Sequence, residues 1–405
     1  MGKQNVLVLN RMNRYHYYNK ENEMHIDKEK YNVYLFTVKN KANQFKPEDY
    51  VEMFSLDTND DERVFQLAKE IHNEVKIHKV VALAEKNIEV AARIREMAGA
   101  EGYLPKFVKK VRDKYIMKEV LREKGIRVPY FESFESKSQV TSLLNEYQKI
   151  VIKPKNGMGS ENTYIISNND ELNFCLSNIS IKALDYEVEE YITGEMYHID
   201  SVIEDTNIKL ASVSKYMNST LGYTNEESFL ASYMIGDSPL KRRLENFNKL
   251  VIEGLEIDTG VTHLEVFVTP EEEIVFCEIG ARAGGAGVMP CIEEAFNLNL
   301  FHAHIKSELG ESMPPVTPTE KIAGWIIFYG EQGVINKLPS MNLFNKDWIP
   351  TNRIFVSEGD RIKKARYSTD SIASFIITAS NEQELLSRIK WVQGQFNVEY
   401  IIDEE

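Results

Sequence analysis

Glu265 and Glu278 are the pair of residues best suited to hold a metal ion. Residues 264–279 read as two strands rich in β-branched and aromatic side chains, joined by a turn over residues 270–273. A turn centred between Glu271 and Glu272 makes the two glutamates cross-strand partners on one face. Opposed Cβ atoms lie roughly 4.5–5.5 Å apart, where like charges repel. Two charges about 4 Å apart repel by about 4 kcal/mol at an effective dielectric near 20. Nearly all other positions in both strands are apolar, so solvent does little for the pair. A divalent cation relieves the repulsion, and hard carboxylate oxygens suit magnesium. A three- or five-residue loop would shift the register and separate the two carboxylates.

The run Gly-Ala-Arg-Ala-Gly-Gly-Ala-Gly at 280–287 follows directly. Its glycines let backbone approach a ligand closely, with Gly285 a candidate substrate contact. Arg282 suits bidentate contact with carboxylate or phosphate. A second glycine-rich turn, residues 154–162, contains Gly157, Gly159 and Ser160 and joins a strand at 149–153 to one at 163–166. With Lys153 at its mouth such a turn drapes over phosphates; taken alone it is equally an ordinary hairpin. No Gly-x-x-x-x-Gly-Lys-Ser/Thr occurs, which excludes a P-loop. Glu85 ends a short apolar strand and points toward the expected cleft, where it can meet a substrate amine. His263 flanks the metal strand and either touches substrate or serves the strand. His302 and His304 are two apart and share no helix face, so they make a poor metal site.

These groups need a scaffold, and 405 residues with 43% hydrophobic side chains suffice for two or three domains. In the first hundred residues, strands at 6–9, 33–38 and 79–83 alternate with helices at 61–75 and 88–97, which predicts a parallel α/β sheet. No glycine-rich dinucleotide turn follows the first strand, so this domain is not expected to hold a nucleotide. Asp113 caps a helix running to Lys124. Residues 186–192 read as a strand crossing between two lobes. Pro314, Pro315 and Pro318 mark a linker into a C-terminal stretch with strands at 322–328, 353–356 and 374–378. A capping box there, Asn381 to Glu384, opens a final helix. Expected boundaries are 1–108, 109–312 (lobes about 120–192 and 193–312) and 313–405.

The net charge of -14 argues against a general nucleic-acid or anionic-membrane binder, and apolar runs are too short to span a bilayer. Cys175, Cys277 and Cys291 show no metal spacing, which predicts a reduced, cytoplasmic protein.

In this order the segments resemble the ATP-grasp superfamily over roughly residues 1–310, nearest its L-amino-acid ligases and related carboxylate–amine ligases. The resemblance is carried by Arg112-Asp113-Lys114, Ile152-Lys153-Pro154, residues 189–195 (Glu-Glu-Tyr-Ile-Thr-Gly-Glu), Ser214-Lys215-Tyr216, Thr262-His263-Leu264-Glu265 and residues 278–282 (Glu-Ile-Gly-Ala-Arg). It implies an α/β (α+β) ATP-grasp fold: a parallel N-terminal α/β domain, a two-lobed ATP-binding core and a small C-terminal α/β cap. By the same resemblance Lys114 and Lys153 contact the α- and β-phosphates, and the loop with Gly157, Gly159 and Ser160 closes over the triphosphate. Glu189, Glu190, Tyr191 and Ile192 form the adenine hinge, and Glu195 is the candidate ribose ligand although strict alignment puts Met196 there. Lys215 reaches the terminal phosphates. The resemblance further implies that Glu265 and Glu278 hold two magnesium ions, with manganese as a substitute, and that Arg282 stabilises the transferring phosphoryl group or a later oxyanion. Many members carry Asn where this chain has Gly280, which puts metal binding or turnover in question.

The implied activity is ATP-dependent joining of an amino acid carboxylate to an amine through an acyl phosphate. Loading of an amino acid onto a carrier-protein thiol, or a non-catalytic ATP-binding regulator, are the alternatives. Amino acid substrates, a carrier protein and a homodimer are the partners this resemblance implies.

Overall fold

The computed structural model describes residues 2–159, 161–179, 185–220, 228–365 and 370–401. Near the N-terminus, β1 (Gln4–Asn10), β2 (Tyr31–Thr37), β3 (Glu52–Ser55) and β4 (Lys79–Val81) form a parallel sheet in the order β3-β2-β1-β4. Helices α1 (Asp61–Val75) and α2 (Ile88–Ala98) cover one face. β1 is apolar on both sides because Val6 and Val8 pack against a second core shared with later helices. The chain order reverses between β1 and β4, so the crevice at their carboxyl ends is the natural ligand edge of this sheet.

α3 (Pro105–Arg112) leads into α4 (Lys114–Glu123), whose N-cap Asp113 accepts from the backbone N–H groups of Tyr115 and Ile116. β5 (Phe131–Ser133), α5 (Lys137–Tyr147), β6 (Ile150–Pro154), β7 (Tyr164–Ile166), α6 (Asn169–Asn178) and β8 (Tyr186–Glu190) make a small lobe. Its sheet runs β5-β8-β6-β7 over its own core of Val140, Leu144, Ile152 and Leu172.

The remaining strands are β9 (Glu195–Glu204), β10 (Asn207–Tyr216), β11 (Phe229–Met234), β12 (Gly260–Val268) and β13 (Ile274–Gly280), with α7 (Pro239–Leu255) inserted. After them come α8 (Val288–Phe296), α9 (Leu300–Leu309), β14 (Ile322–Tyr329), β15 (Gly333–Lys337), β16 (Thr351–Ile354), β17 (Arg361–Ile362), β18 (Ser371–Ala379), α10 (Glu382–Gln395) and β19 (Glu399–Ile401). β14, β18 and β16 do not build a sheet of their own. They extend the sheet of β9 to β13, giving eight strands in the order β13-β12-β9-β10-β11-β14-β18-β16. The sheet therefore runs across the linker expected near residue 313, because β11 and β14 pair from Phe229–Phe328 to Tyr233–Gly324. Gly287, which caps α8, is required at its crossing of this sheet: a Cβ there would lie 2.2 Å from Cβ of Trp325 on β14.

Candidate nucleotide and metal site

Glu265 and Glu278 are opposed, as the sequence predicts, by a different route. The loop between β12 and β13 has an odd number of residues, since Val268 pairs with Ile274. Continued inward, that register would set Glu265 opposite Cys277. A bulge between Glu265 and Val266 absorbs one residue and brings Glu278 opposite Glu265. Both carboxylates, with Cys277 between them, line a cleft of about 530 Å³ between the two lobes.

The other walls carry the cations. Lys114, held at the first position of α4 by the Asp113 cap, lies 2.9 Å from Glu278 Oε2 and donates to the Gly157 carbonyl at 2.7 Å. Lys153, on β6, lies 2.6 Å from Glu189 Oε1 and is buried. Burial disfavours its charge, but Glu189 together with the other acidic groups around it, Cys277, Glu187 and Glu278, outweighs this and holds its pKa above the usual lysine range. Lys215, on β10, contacts Glu195 Oε1 at 2.5 Å. Gly157, Glu189, Glu190, Tyr191, Ile192 and Glu195 all line the cleft. The hinge is fixed from behind: Glu190 N–H donates to the Tyr130 carbonyl, and Glu190 Oε1 accepts from Arg127. Gly159 is among the described residues, while Ser160 lies outside them.

Arg282 and Glu85 stand together at the N-terminal domain. Arg282 Nε donates to Glu85 Oε2 at 2.7 Å, and Arg112 pairs with the other oxygen of the same carboxylate. Burial opposes the charge on Glu85, but Arg282 and then Arg112 outweigh it and lower its pKa to about 2. Arg112 also donates to the Asn156 carbonyl at 3.2 Å, which ties this cluster to the glycine loop. Gly280 is not required sterically: a Cβ there would lie 3.4 Å from Cγ and 3.5 Å from Nε of Arg282, ordinary van der Waals contacts. Gly285 is exposed, with open space where a Cβ would project.

His263 is buried beneath Glu265. Its Nδ1 is 2.8 Å from Asp200 Oδ1, and its Nε2 is 3.5 Å from Glu265 Oε1. His198 Nδ1 contacts the other Asp200 oxygen at 2.7 Å, and His198 Nε2 contacts Ser232 Oγ at 2.7 Å. Two histidines and an aspartate are thus close enough for a metal, yet they satisfy one another as a hydrogen-bonded network. Burial disfavours the His263 imidazolium, but Asp200 and then Glu265 raise its pKa to about 9.

Sequence reasoning missed Lys118, Glu187, Asp200, Tyr216 and the contribution of α10. Tyr216 OH donates to Glu265 Oε1 at 2.8 Å, and Leu386 and Lys390 of α10 line the cleft. The polar residues of β8 at alternate positions, Glu187 and Glu189, were the available signal for a buried charge pair. For α10 no local signal exists.

A family profile described as ATP-grasp domain matches residues 111–286, the segment that carries Lys114, Lys153, Glu265, Glu278 and Arg282. The chain carries an ATP-grasp domain over these residues. An L-arginine-specific L-amino acid ligase of Bacillus subtilis is similar to it, at 26% identity over 76% of each chain. Among solved structures, the L-amino acid ligase from Bacillus licheniformis matches this chain with TM-score 0.78, at 16% identity over 98% of this chain and 99% of that one. N5-carboxyaminoimidazole ribonucleotide synthetase from Thermotoga maritima matches with TM-score 0.70, at 16% identity over 99% and 100%. Similarity at that level shows a shared fold.

The donor set fits the cofactors of this fold. Two facing carboxylates supply hard oxygens for magnesium, and Lys114 at 2.9 Å is a monovalent stand-in for positive charge at Glu278. The cleft is long enough in its lining to run from the hinge at Tyr191 and Ile192 to the carboxylates. No helix among the described residues is long and apolar enough to cross a membrane.

Proposed function

We propose that this protein is an ATP-dependent carboxylate–amine ligase that activates an amino acid carboxylate and passes it to an amine. The observation that carries the reading is the convergence of Lys114, Lys153, Glu265 and Glu278 on one cleft, with Arg282 within electrostatic reach of both glutamates. That set neutralises and positions charge, and it lacks the nucleophile–base pair that covalent catalysis would need.

Adenine sits at the hinge of Glu189, Glu190, Tyr191 and Ile192, with Glu195 at the ribose. Lys153 and Lys114 take the inner phosphates, and Lys215 reaches outward once a phosphate competes with Glu195. Glu265 and Glu278 would hold magnesium, which when bound would supply Lewis-acid neutralisation of phosphate charge. The substrate carboxylate attacks the γ-phosphorus, the bond to the β-phosphate oxygen breaks, and ADP leaves an acyl phosphate. Arg282 moves from Glu85 toward the transferring group. The amine then attacks the acyl carbon, phosphate departs and a proton is released, giving a dipeptide or amide. Phosphoryl transfer of this kind needs positioning and charge neutralisation rather than a protein nucleophile. The glycine loop of residues 156–161 excludes water from the acyl phosphate.

The test is ADP release with Mg-ATP against amino acids, singly and in pairs, with mass spectrometry of the products. Arginine belongs in the panel because the B. subtilis relative is named for it. Release that requires two amino acids and yields a dipeptide mass supports the reading. Release with one amino acid and no coupled product points to another acceptor, such as a carrier thiol. ATP binding without release on any pair counts against it.

A further inference from the structure

Behind the nucleotide cleft lie two lysines and two glutamates in one buried group. Lys118, from α4, and Glu187, from β8, are fully buried, and neither lines the cleft. Lys118 Nζ is 2.7 Å from Glu187 Oε1 and also bonds Glu189 Oε2. Lys153 takes the other oxygen of Glu189 at 2.6 Å and stands 3.9 Å from Glu187 Oε1. Lys153 and Glu189 do line the cleft. The four charges sum to zero, with two members facing the nucleotide and two hidden.

A buried carboxylate pair needs compensation, since like charges in low dielectric repel strongly. If Lys153 were the sole cation it would have to serve both carboxylates, and little of its ammonium would remain for a ligand. Lys118 already occupies Glu187 and half of Glu189. Burial raises the pKa of Glu187, while Glu189, also buried but flanked by both lysines, is lowered to about 2. Glu187 Oε2 has no hydrogen-bond partner among the described residues, so Lys118 is the direct partner that this hidden carboxylate has.

We propose that Lys118 is a positioning residue that never touches the nucleotide but sets how much of Lys153 is available to its phosphates. The proposal rests on the assignment of Lys153 to those phosphates. Removing Lys118 leaves Lys153 facing two carboxylates, draws its ammonium inward and weakens phosphate binding. Removing the charge of Glu187 as well restores the balance.

The experiment measures ADP and adenosine affinity by calorimetry, and the KM for ATP, in Lys118→Met, Lys118→Arg, Glu187→Gln and the Lys118→Met/Glu187→Gln double variant. Lys118→Met should weaken ADP about tenfold and leave adenosine within twofold, because adenosine carries no phosphate. The KM for ATP should rise with little change in kcat. Lys118→Arg and the double variant should return ADP affinity to within about threefold of the parent. Equal losses for adenosine and ADP, or a double variant no better than Lys118→Met, would overturn the proposal. If Lys118→Met does not fold, Glu187→Gln decides alone: a freer Lys153 should bind ADP more tightly at unchanged adenosine affinity, and unchanged ADP affinity refutes the idea. Lys153→Met separates the two levels. If it leaves ADP affinity intact, the phosphate assignment itself fails; if it weakens ADP while Lys118→Met does not, only the role of Lys118 fails.

Discussion

Lys114 reaches across the cleft to Glu278, with Nζ 2.9 Å from Oε2, so the lysine proposed for phosphate and the glutamate proposed for magnesium are paired. The contact spans two elements that belong to different walls of the site, α4 and β13. A nucleotide with its metal would replace it by two separate contacts, magnesium on Glu278 and phosphate on Lys114.

Glu278→Ala is therefore expected to do two things. ADP release should fall on the order of 10²–10³-fold, the scale seen when one charge-stabilising group is removed from a preorganised site. ATP itself should still bind, because Lys114 is freed rather than lost. Chelation of magnesium should abolish release in the parent, and added magnesium should restore it. Steady-state ADP assays with parallel nucleotide titration check all three; an active Glu278→Ala would remove this carboxylate from the metal site.

Glu85 holds Arg112 and Arg282 at once. Glu85→Gln removes the carboxylate that pairs directly with two buried guanidinium groups and should destabilise the protein by about 3 kcal/mol at neutral pH. The sign with pH follows from the lowered pKa, near 2 in the folded chain against an ordinary 4.5. Stability from this carboxylate is fully present above 4.5 and is lost as pH falls toward 2. The gap between parent and Glu85→Gln should thus shrink across that window. Denaturant unfolding of both at pH 7, 4 and 3 measures it, and a constant gap would show that the ion pairs do not stabilise the fold.

At the outer end of the cleft, Lys390 of α10 is exposed and close to the nucleotide path. Lys390→Ala should raise the KM for ATP about threefold, the scale of one exposed ionic contact, with kcat unchanged. A larger change in the amino acid KM than in the ATP KM would move α10 to the other substrate.

Gly280→Asn tests the departure from the usual pattern. A Cβ there would make an ordinary contact with Arg282, 3.4 Å from its Cγ, so the backbone has room for a side chain. Magnesium affinity should rise with activity retained, since the carboxamide oxygen adds a hard ligand. Unchanged magnesium affinity, or lost activity, would mean that the site does not accept the extra ligand.

Gly287→Ala should destabilise by about 1–3 kcal/mol through overpacking, because its Cβ would overlap Trp325. Thermal unfolding of the folded variant checks this.

Much of the fold was legible in local sequence. β-branched runs predicted β1, β2, β6 and β12, Asp113 and Asn381 capped their helices, and Gly99 closed α2 in the left-handed conformation. These signals act over a few residues, through backbone sterics and orphan N–H groups, and so survive without a partner. The residue types at Glu265, Glu278, Lys153 and Arg282 announced charge chemistry for the same reason. What only the tertiary structure decided were the relationships between distant segments. The bulge at Cys277 restores a pairing that the odd loop would have broken. β14 joins the sheet of β9 to β13, Lys118 of α4 meets Glu187 of β8, and Glu85 is shared by two arginines. Each depends on how separate elements pack. A side chain's partner is set by which faces are buried together, and no period or propensity within one segment encodes that.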